Sequence, residues 1–305
     1  MLPQKFKQRY KQIIPDFEKF LEYARKPQNV SIRINTLKVS RDKFLEDTQL
    51  ELEQLEQVPW YENAFFVKGK QAYYIGNTLE YFLGHVYLQD AASMIPPLVL
   101  EPSEKDRVLD LTAAPGSKTT QIAQLMKNKG CIVANDNSFE RIKALRNNIN
   151  RLGVLNVLIT RMYVSDFSAS QNGKFDRVLL DAPCSLEGSM RKYFINWNEN
   201  IIHHFANTQR KMLLKAFELT NPGGILVYST CTYAPEENEG VVQSLLNQNE
   251  RAKLEQIKLP GLKAHQGLVK FRDTSYDSEL KKTIRLYTHD YNTGGFFIAK
   301  IRKDG

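Results

Sequence analysis

Cysteine is scarce in this chain. There are three, Cys131, Cys184 and Cys231, an odd number, far apart and without CxxC spacing. That excludes a disulfide framework, argues against a zinc site and points to a reducing, cytoplasmic compartment. The five histidines (His85, His203, His204, His265, His289) also lack ligand spacing, so no metal is expected. No apolar run approaches the length of a membrane span, and the opening MLPQKFKQRY has no apolar core for a signal peptide. Repeats and low-complexity tracts are missing too. What is there is a 305-residue chain, 42% hydrophobic, enough for one large domain or two ordinary ones with a real core. Its net charge of +8 and pI near 9.2 favour a polyanionic partner. A merely soluble basic protein fits that charge nearly as well, so charge alone decides nothing.

Periodicity divides the chain in two. Residues 5–25 read as helix, with Phe6, Tyr10, Phe17 and Leu21 near helical period and Pro15 marking a break. Residues 31–35 alternate like a strand, Ser40 is placed to cap a short helix through Asp47, and alternating pieces follow at 65–67 and 71–75. This predicts a small α+β unit over residues 1–84. From His85 the pattern changes. Strands expected at 85–89, 108–111, 131–135, 157–160, 178–180 and 225–229 alternate with helices at 118–126, 138–152, 201–219 and 236–247. Residues 85–305 are therefore predicted as an α/β fold, a doubly wound and mostly parallel sheet, closed by an added antiparallel strand at 296–301.

The stretch 108–123, VLDLTAAPGSKTTQIA, organises that second unit. A short apolar strand runs into a Pro-Gly turn and then a helix, a place where a cofactor can meet backbone N–H groups. Ala113, Ala114 and Gly116 allow close approach, and Pro115 stiffens the turn. An ordinary strand-to-helix connection has the same look, so the stretch gains meaning only in company. Asp136, closing the next strand, is placed to accept hydrogen bonds from both ribose hydroxyls of a nucleoside cofactor. Cys184 follows Asp181-Ala182-Pro183, and Cys231 follows Ser229-Thr230, each at a later strand end. Cysteine is more often a core filler than a nucleophile, but polar turns are poor sites for filler. A thiolate suits attack on an electron-poor ring carbon, and Asp181 is placed to donate to the ring nitrogen. Asp110, Asp136, Asp181 and Cys231 could share one crevice beyond the carboxyl ends of the strands.

Three stretches in this order, DLTAAPGSKTTQIA, FDRVLLDAPCS and GGILVYSTCTYAPEENE, resemble the signature motifs of the NOL/NOP/Sun family of RNA cytosine-5 methyltransferases. The resemblance extends to SIRINTLK, YLQDAASM and GGFFIAKI, and within the family it is nearest to the bacterial small-subunit rRNA methyltransferase F group, without an added C-terminal domain. It implies a Rossmann-like fold dependent on S-adenosylmethionine, preceded by a small RNA-contacting unit. It further implies that Cys231 attacks cytosine C6, that Cys184 assists loss of the C5 proton and release, and that Asp181 contacts the cytosine edge and also faces the cofactor. Thr112, Ala113, Ala114, Pro115, Gly116, Ser117, Lys118 and Asp136 would hold the cofactor. Lys118 would meet a charged group of cofactor or substrate, against the alternative of an exposed first-turn lysine. The family often has Cys at Thr112, Gly at Ser117, and an Asp beside the adenine where Tyr163 falls; Asp166 lies three residues on.

The expected partner is RNA, small-subunit rRNA before tRNA, bound by a monomer with no membrane and no metal. A DNA methyltransferase, with a nucleophilic Pro-Cys followed by Gln, fits less well, because Ser185 follows Cys184 and a second cysteine stands at Thr230-Cys231. A non-catalytic rRNA assembly factor would need neither cysteine. Candidate phosphate contacts are Lys5, Lys7, Arg9, Lys11 and Arg33, with Arg191 and Lys192 just past the Pro-Cys loop.

Overall fold

The computed structural model describes residues 2–189 and 197–305. The first helical stretch is split, as Pro15 predicts, into helices Gln4–Tyr10 and Phe17–Tyr23. Four short strands follow: β1 (Val30–Ile34), β2 (Leu55–Gln57), β3 (Ala64–Val67) and β4 (Val86–Leu88). They form an antiparallel sheet in the order β2-β3-β1-β4. One face packs on helix Arg41–Asp47 through Ile32, Ile34, Phe44, Phe65 and Val86. The Ser40 hydroxyl caps that helix, accepting from the Lys43 N–H at 3.2 Å. The strand expected at 85–89 forms, as β4, and joins this sheet. The alternating piece at 71–75 does not form a strand. It becomes two 3-10 turns, Lys70–Tyr73 and Ile75–Asn77, with Tyr73 and Tyr74 exposed, because no neighbouring strand is there to pair with it.

The large sheet contains β5 (Arg107–Asp110), β6 (Cys131–Asn135), β7 (Val157–Thr160), β8 (Phe175–Asp181) and β9 (Thr220–Thr230), all parallel to one another. Their spatial order is β9-β8-β5-β6-β7. Each strand is apolar on both sides, as helices on both faces require. Val108, Leu179 and Val227 enter one layer, while Leu109, Val178, Leu180 and Leu226 enter the other. The chain tail adds β10 (Ala252–Glu255), β11 (His265–Gln266), β12 (Lys270–Phe271), β13 (Thr274–Ser275), β14 (Ile284–Leu286) and β15 (Phe296–Lys303). β15 runs antiparallel along β9, as expected, and carries β14 and β10 on its other side. Strand order reverses between β5 and β8, so the crevice beyond their carboxyl ends is the place for a ligand.

Two basic residues expected to meet RNA are instead buried in the fold. Arg33, fully buried, donates to Gln89 Oε1 at 2.9 Å, to Thr120 Oγ1 at 2.8 Å and to Gln124, fastening β1 to helix Ser117–Leu125. Arg9 pairs with Glu199 at 3.1 Å and Glu236 at 2.5 Å. Both correct the reading of these residues as surface charge: each guanidinium finds carboxylate or amide partners distant in sequence. Lys5 and Lys11 are exposed, Lys7 is half-buried, and Arg191 and Lys192 lie outside the described residues.

A third buried arginine joins the tail to the main sheet. Arg285 on β14 donates to both oxygens of Glu239, which begins helix Glu239–Gln248, and to the Tyr233 carbonyl at 3.0 Å. Both side chains are essentially inaccessible. Arg285→Met should therefore strand a buried carboxylate and cost about 3–5 kcal/mol, read as a lower midpoint of urea unfolding.

Candidate active site

The turn after β5 is held from three sides. The Leu111 N–H donates to the Leu179 carbonyl at 3.0 Å, Ala113 N–H to the Asn135 carbonyl at 2.7 Å, and Thr112 Oγ1 to the Asp181 carbonyl at 2.8 Å. Gly116 sits at φ 105°, and a Cβ there would come within 2.9 Å of Leu145, so the tight entry into the helix requires glycine. Asp110 does not reach the crevice. It is buried, accepts from Thr119 Oγ1 at 2.7 Å, and burial raises its carboxyl to about 6. Its role is to fasten the helix to the strand.

Lys118 is not an exposed first-turn lysine. It is 8% exposed and points across the turn, donating to Asp181 Oδ2 at 2.6 Å and Ser93 Oγ at 2.8 Å. Asp181 Oδ1 accepts from Ser229 Oγ at 2.7 Å. Both Asp181 oxygens thus act as acceptors, one from Lys118 and one from Ser229. Ser93 is a site residue that the sequence did not announce.

A cavity of about 890 Å³ opens here, of a size for a nucleoside and its substrate. Thr112, Ala114, Asp136, Tyr163, Asp181, Cys184 and Cys231 line it, and helix Glu199–Leu219 adds Phe205, Lys211 and Met212. Ala113, Pro115, Gly116, Ser117 and Lys118 build the turn without lining the cavity. Asp136 Oδ1 accepts from the Ser138 N–H at 3.0 Å. Its Oδ2 is buried and receives no hydrogen bond, although Arg141 Nη1 lies 3.2 Å away as an ion-pair partner. An acceptor left open at the carboxyl end of β6 fits the hydroxyls of a ribose. Tyr163 lines the cavity and Asp166 does not; Asp166 Oδ1 accepts from Ser165 Oγ at 3.0 Å.

The two cysteines, 47 residues apart in sequence, meet at the cavity floor with 3.3 Å between sulfurs. They are unequal. Cys184 is 5% exposed, and its hydrogen bond to Cys231, then burial, hold its thiol well above the ordinary range. Cys231 is partly exposed. Their loops are locked together: Ser185 Oγ and Thr232 Oγ1 lie 2.7 Å apart, and the Gly188 N–H donates to the Cys231 carbonyl at 2.8 Å. A Cβ at Gly188 would lie 2.4 Å from the Gly295 carbonyl, so this crossing admits glycine alone. Glu187 accepts from Thr232 Oγ1 at 2.8 Å and the Tyr233 N–H at 3.1 Å from beneath. No periodicity marks Glu187; only its place three residues past Cys184 could have drawn notice.

The sheet and the turn after β5 are those of Rossmann-like methyltransferases, and solved structures agree. A methyltransferase homolog protein from Pyrococcus horikoshii matches with a TM-score of 0.87 at 36% identity, covering 99% of this chain and 95% of that one. NSun6 from the same organism, solved with SFG, gives 0.82 at 27% identity, covering 99% and 98%. The particular family follows from the sequence. The model of the 16S rRNA methyltransferase RsmB/F matches residues 97–302, and that of the N-terminal domain of 16S rRNA methyltransferase RsmF matches residues 2–91. The chain belongs to the RsmB/F methyltransferase family, and the expected class, RNA (cytosine-5)-methyltransferase, stands. Among curated relatives, the tRNA (cytosine(49)-C(5))-methyltransferase of Pyrococcus abyssi is 44% identical over 98% of this chain and 96% of its own length. The ribosomal RNA small subunit methyltransferase F of Shewanella piezotolerans is 38% identical over 98% of this chain, which spans 64% of that relative.

Since the largest contribution to the raised Cys184 thiol is its bond to Cys231, Cys231→Ala should lower the pH at which Cys184 becomes reactive. Site-resolved alkylation across a pH series measures this. An unmoved midpoint would show that burial alone holds the thiol.

Proposed function

We propose that the chain methylates C5 of a cytosine in RNA through a covalent adduct between Cys231 and cytosine C6. The observation that carries this reading is the pair of unequal thiols, 3.3 Å apart, at one end of a cavity whose other end presents an open carboxylate. Cys231, the more exposed sulfur, is the nucleophile. Its attack on C6 makes C5 electron-rich, and Asp181, which lines the cavity and is held by Lys118 and Ser229, faces the polar edge of the ring. S-adenosylmethionine, when bound, supplies a sulfonium methyl group for C5. Thr112, Ala114 and Asp136 would hold it, with Tyr163 beside the adenine. In the closing step the C5 proton passes to the Cys184 thiolate, the C5=C6 bond re-forms, and the C6–S bond breaks with its electron pair returning to Cys231. Cys184 assists that release. Both faces of the base must be open, so the cytosine is unpaired or flipped into the cavity.

Two RNA substrates have support. The nearly full-length likeness to an archaeal tRNA methyltransferase favours tRNA, because that relative has no large segment which this chain lacks. Both family models favour small-subunit rRNA. Methyl transfer from labelled S-adenosylmethionine to each RNA, with bisulfite sequencing of cells with and without the gene, should place the product cytosine in tRNA. A site confined to small-subunit rRNA would establish the second reading. Transfer to neither RNA, with cofactor binding intact, would support an assembly factor instead.

Cys231→Ala should abolish transfer while sparing cofactor binding. Cys184→Ala should accumulate an RNA–protein adduct that survives a denaturing gel; the reverse pattern would exchange the two roles. Asp136→Ala should weaken S-adenosylmethionine binding by about 1.5–3 kcal/mol, the range for a charge-assisted hydrogen bond, and calorimetry would read the change directly.

A further inference from the structure

Cys184 lies on a turn, and what keeps that turn in place is a pair of side chains outside the reaction described above. Gln209, on helix Glu199–Leu219, is fully buried and uses Nε2 twice, donating to the Pro183 carbonyl at 2.8 Å and to Glu237 Oε2 at 2.8 Å. Glu237, also fully buried, accepts the Ser185 N–H at 3.1 Å on the same oxygen. The backbone groups on either side of Cys184 are thus both bonded to this pair. Glu237 is itself anchored from β9, where Tyr228 donates its hydroxyl to the Glu237 carbonyl at 2.6 Å.

We propose that Gln209 and Glu237 are positioning residues that hold turn 183–185, and with it Cys184, in register with Cys231 for release of the methylated base. The proposal rests on the reading of Cys184 as the release residue. It also assigns Glu237 a protonation state. Glu237 Oε1 and Gln209 Oε1 are both buried without a hydrogen-bond donor. A proton on Glu237 supplies the donor that this amide–carboxyl pair lacks. Burial pushes the Glu237 carboxyl up to about 8, while the Arg210 charge acts on Tyr228 beside it. The groups that face it agree with this: Glu187 carries the same sign of charge, and the Cys184 thiol and Tyr228 phenol are both held in their neutral forms. Neutrality matters for the chemistry. Once Cys231 is bonded to carbon, its hydrogen bond no longer raises the Cys184 thiol, and a charged Glu237 would be a remaining electrostatic obstacle to a thiolate at Cys184.

The test compares Glu237→Ala, Glu237→Gln and Gln209→Leu with Cys184→Ala and the unaltered enzyme, each incubated with RNA and S-adenosylmethionine. Adduct on denaturing gels, turnover and cofactor affinity are measured together. Glu237→Ala and Gln209→Leu should accumulate adduct several-fold over the unaltered enzyme, with slowed turnover and unchanged cofactor affinity. Glu237→Gln should behave as the unaltered enzyme, because its amide keeps an acceptor for Ser185 and gains a donor for Gln209. If Glu237→Ala does not fold, Gln209→Leu, which keeps the side-chain bulk, decides. Unaltered adduct levels and turnover in Gln209→Leu, beside accumulation in Cys184→Ala, would overturn the positioning role. Accumulation in Glu237→Gln would overturn the neutral carboxyl. No adduct in Cys184→Ala itself would instead remove the release reading on which the proposal stands.

Discussion

The buried carboxylate of Glu187 is the interaction on which the site's shape depends. It receives the Tyr10 hydroxyl at 2.6 and 2.7 Å, the Trp197 indole N–H at 2.6 Å, the Thr232 hydroxyl at 2.8 Å and the Tyr233 N–H at 3.1 Å. Unpaired, a carboxylate so deep would cost several kcal/mol. Burial still raises its carboxyl despite these donors. Its partners come from the first helix, the segment before the long helix and the Cys231 loop, while Glu187 itself belongs to the loop that follows Cys184. One side chain therefore fixes both cysteine loops and clamps the N-terminal helix over them. Phe6 of the same first helix and Trp197 meet edge to face at 5.6 Å, and Glu187 is 2% exposed.

What the pairing of loops achieves is an asymmetry between chemically identical groups. Two thiols in one aqueous pocket would compete for the same proton. Here one is enclosed and lies within hydrogen-bond distance of the other, at strand ends that the parallel sheet brings side by side. β8 and β9 are neighbours, so residues leaving them meet without any long loop having to be ordered. On the proposed mechanism, the choice of nucleophile is made by depth rather than by residue type.

The parallel strands and their helices were legible because each is a local pattern: an apolar run of four or five residues, or an apolar stripe such as Ile142, Leu145, Ile149 and Leu152. The short motifs around Asp181, Cys184 and Cys231 were legible because strand ends in such sheets converge. Arg9 and Arg33 were not. Nothing in their neighbours distinguishes a buried guanidinium from a solvated one, since the partners that compensate its desolvation are 56 to 227 residues away. The same applies to Lys118, whose partner Asp181 belongs to another strand, to Glu237, quoted within a recognisable motif, and to Gln209, both silent until the turn they share was visible. Residues 252–291 carry strands of two to four residues, too short for any period to emerge.

Arg33 has a consequence for how such chains can be recombined. Its guanidinium, with Gln89 Nε2 donating to Gln121 Oε1 at 2.9 Å and Gln121 Nε2 to the Met94 carbonyl at 2.8 Å, makes a dry polar seam between the small sheet and helix Ser117–Leu125. Thr120 and Gln124 turn polar atoms toward Arg33, and Gln124 Nε2 also donates to the Tyr61 hydroxyl at 3.1 Å. Cutting the chain at the seam would leave them facing solvent on one piece and a bare arginine in the middle of a strand on the other. The two halves are thus matched parts rather than interchangeable modules. A graft that brought a foreign N-terminal unit would have to carry the helix face with it, and that face begins at the turn after β5.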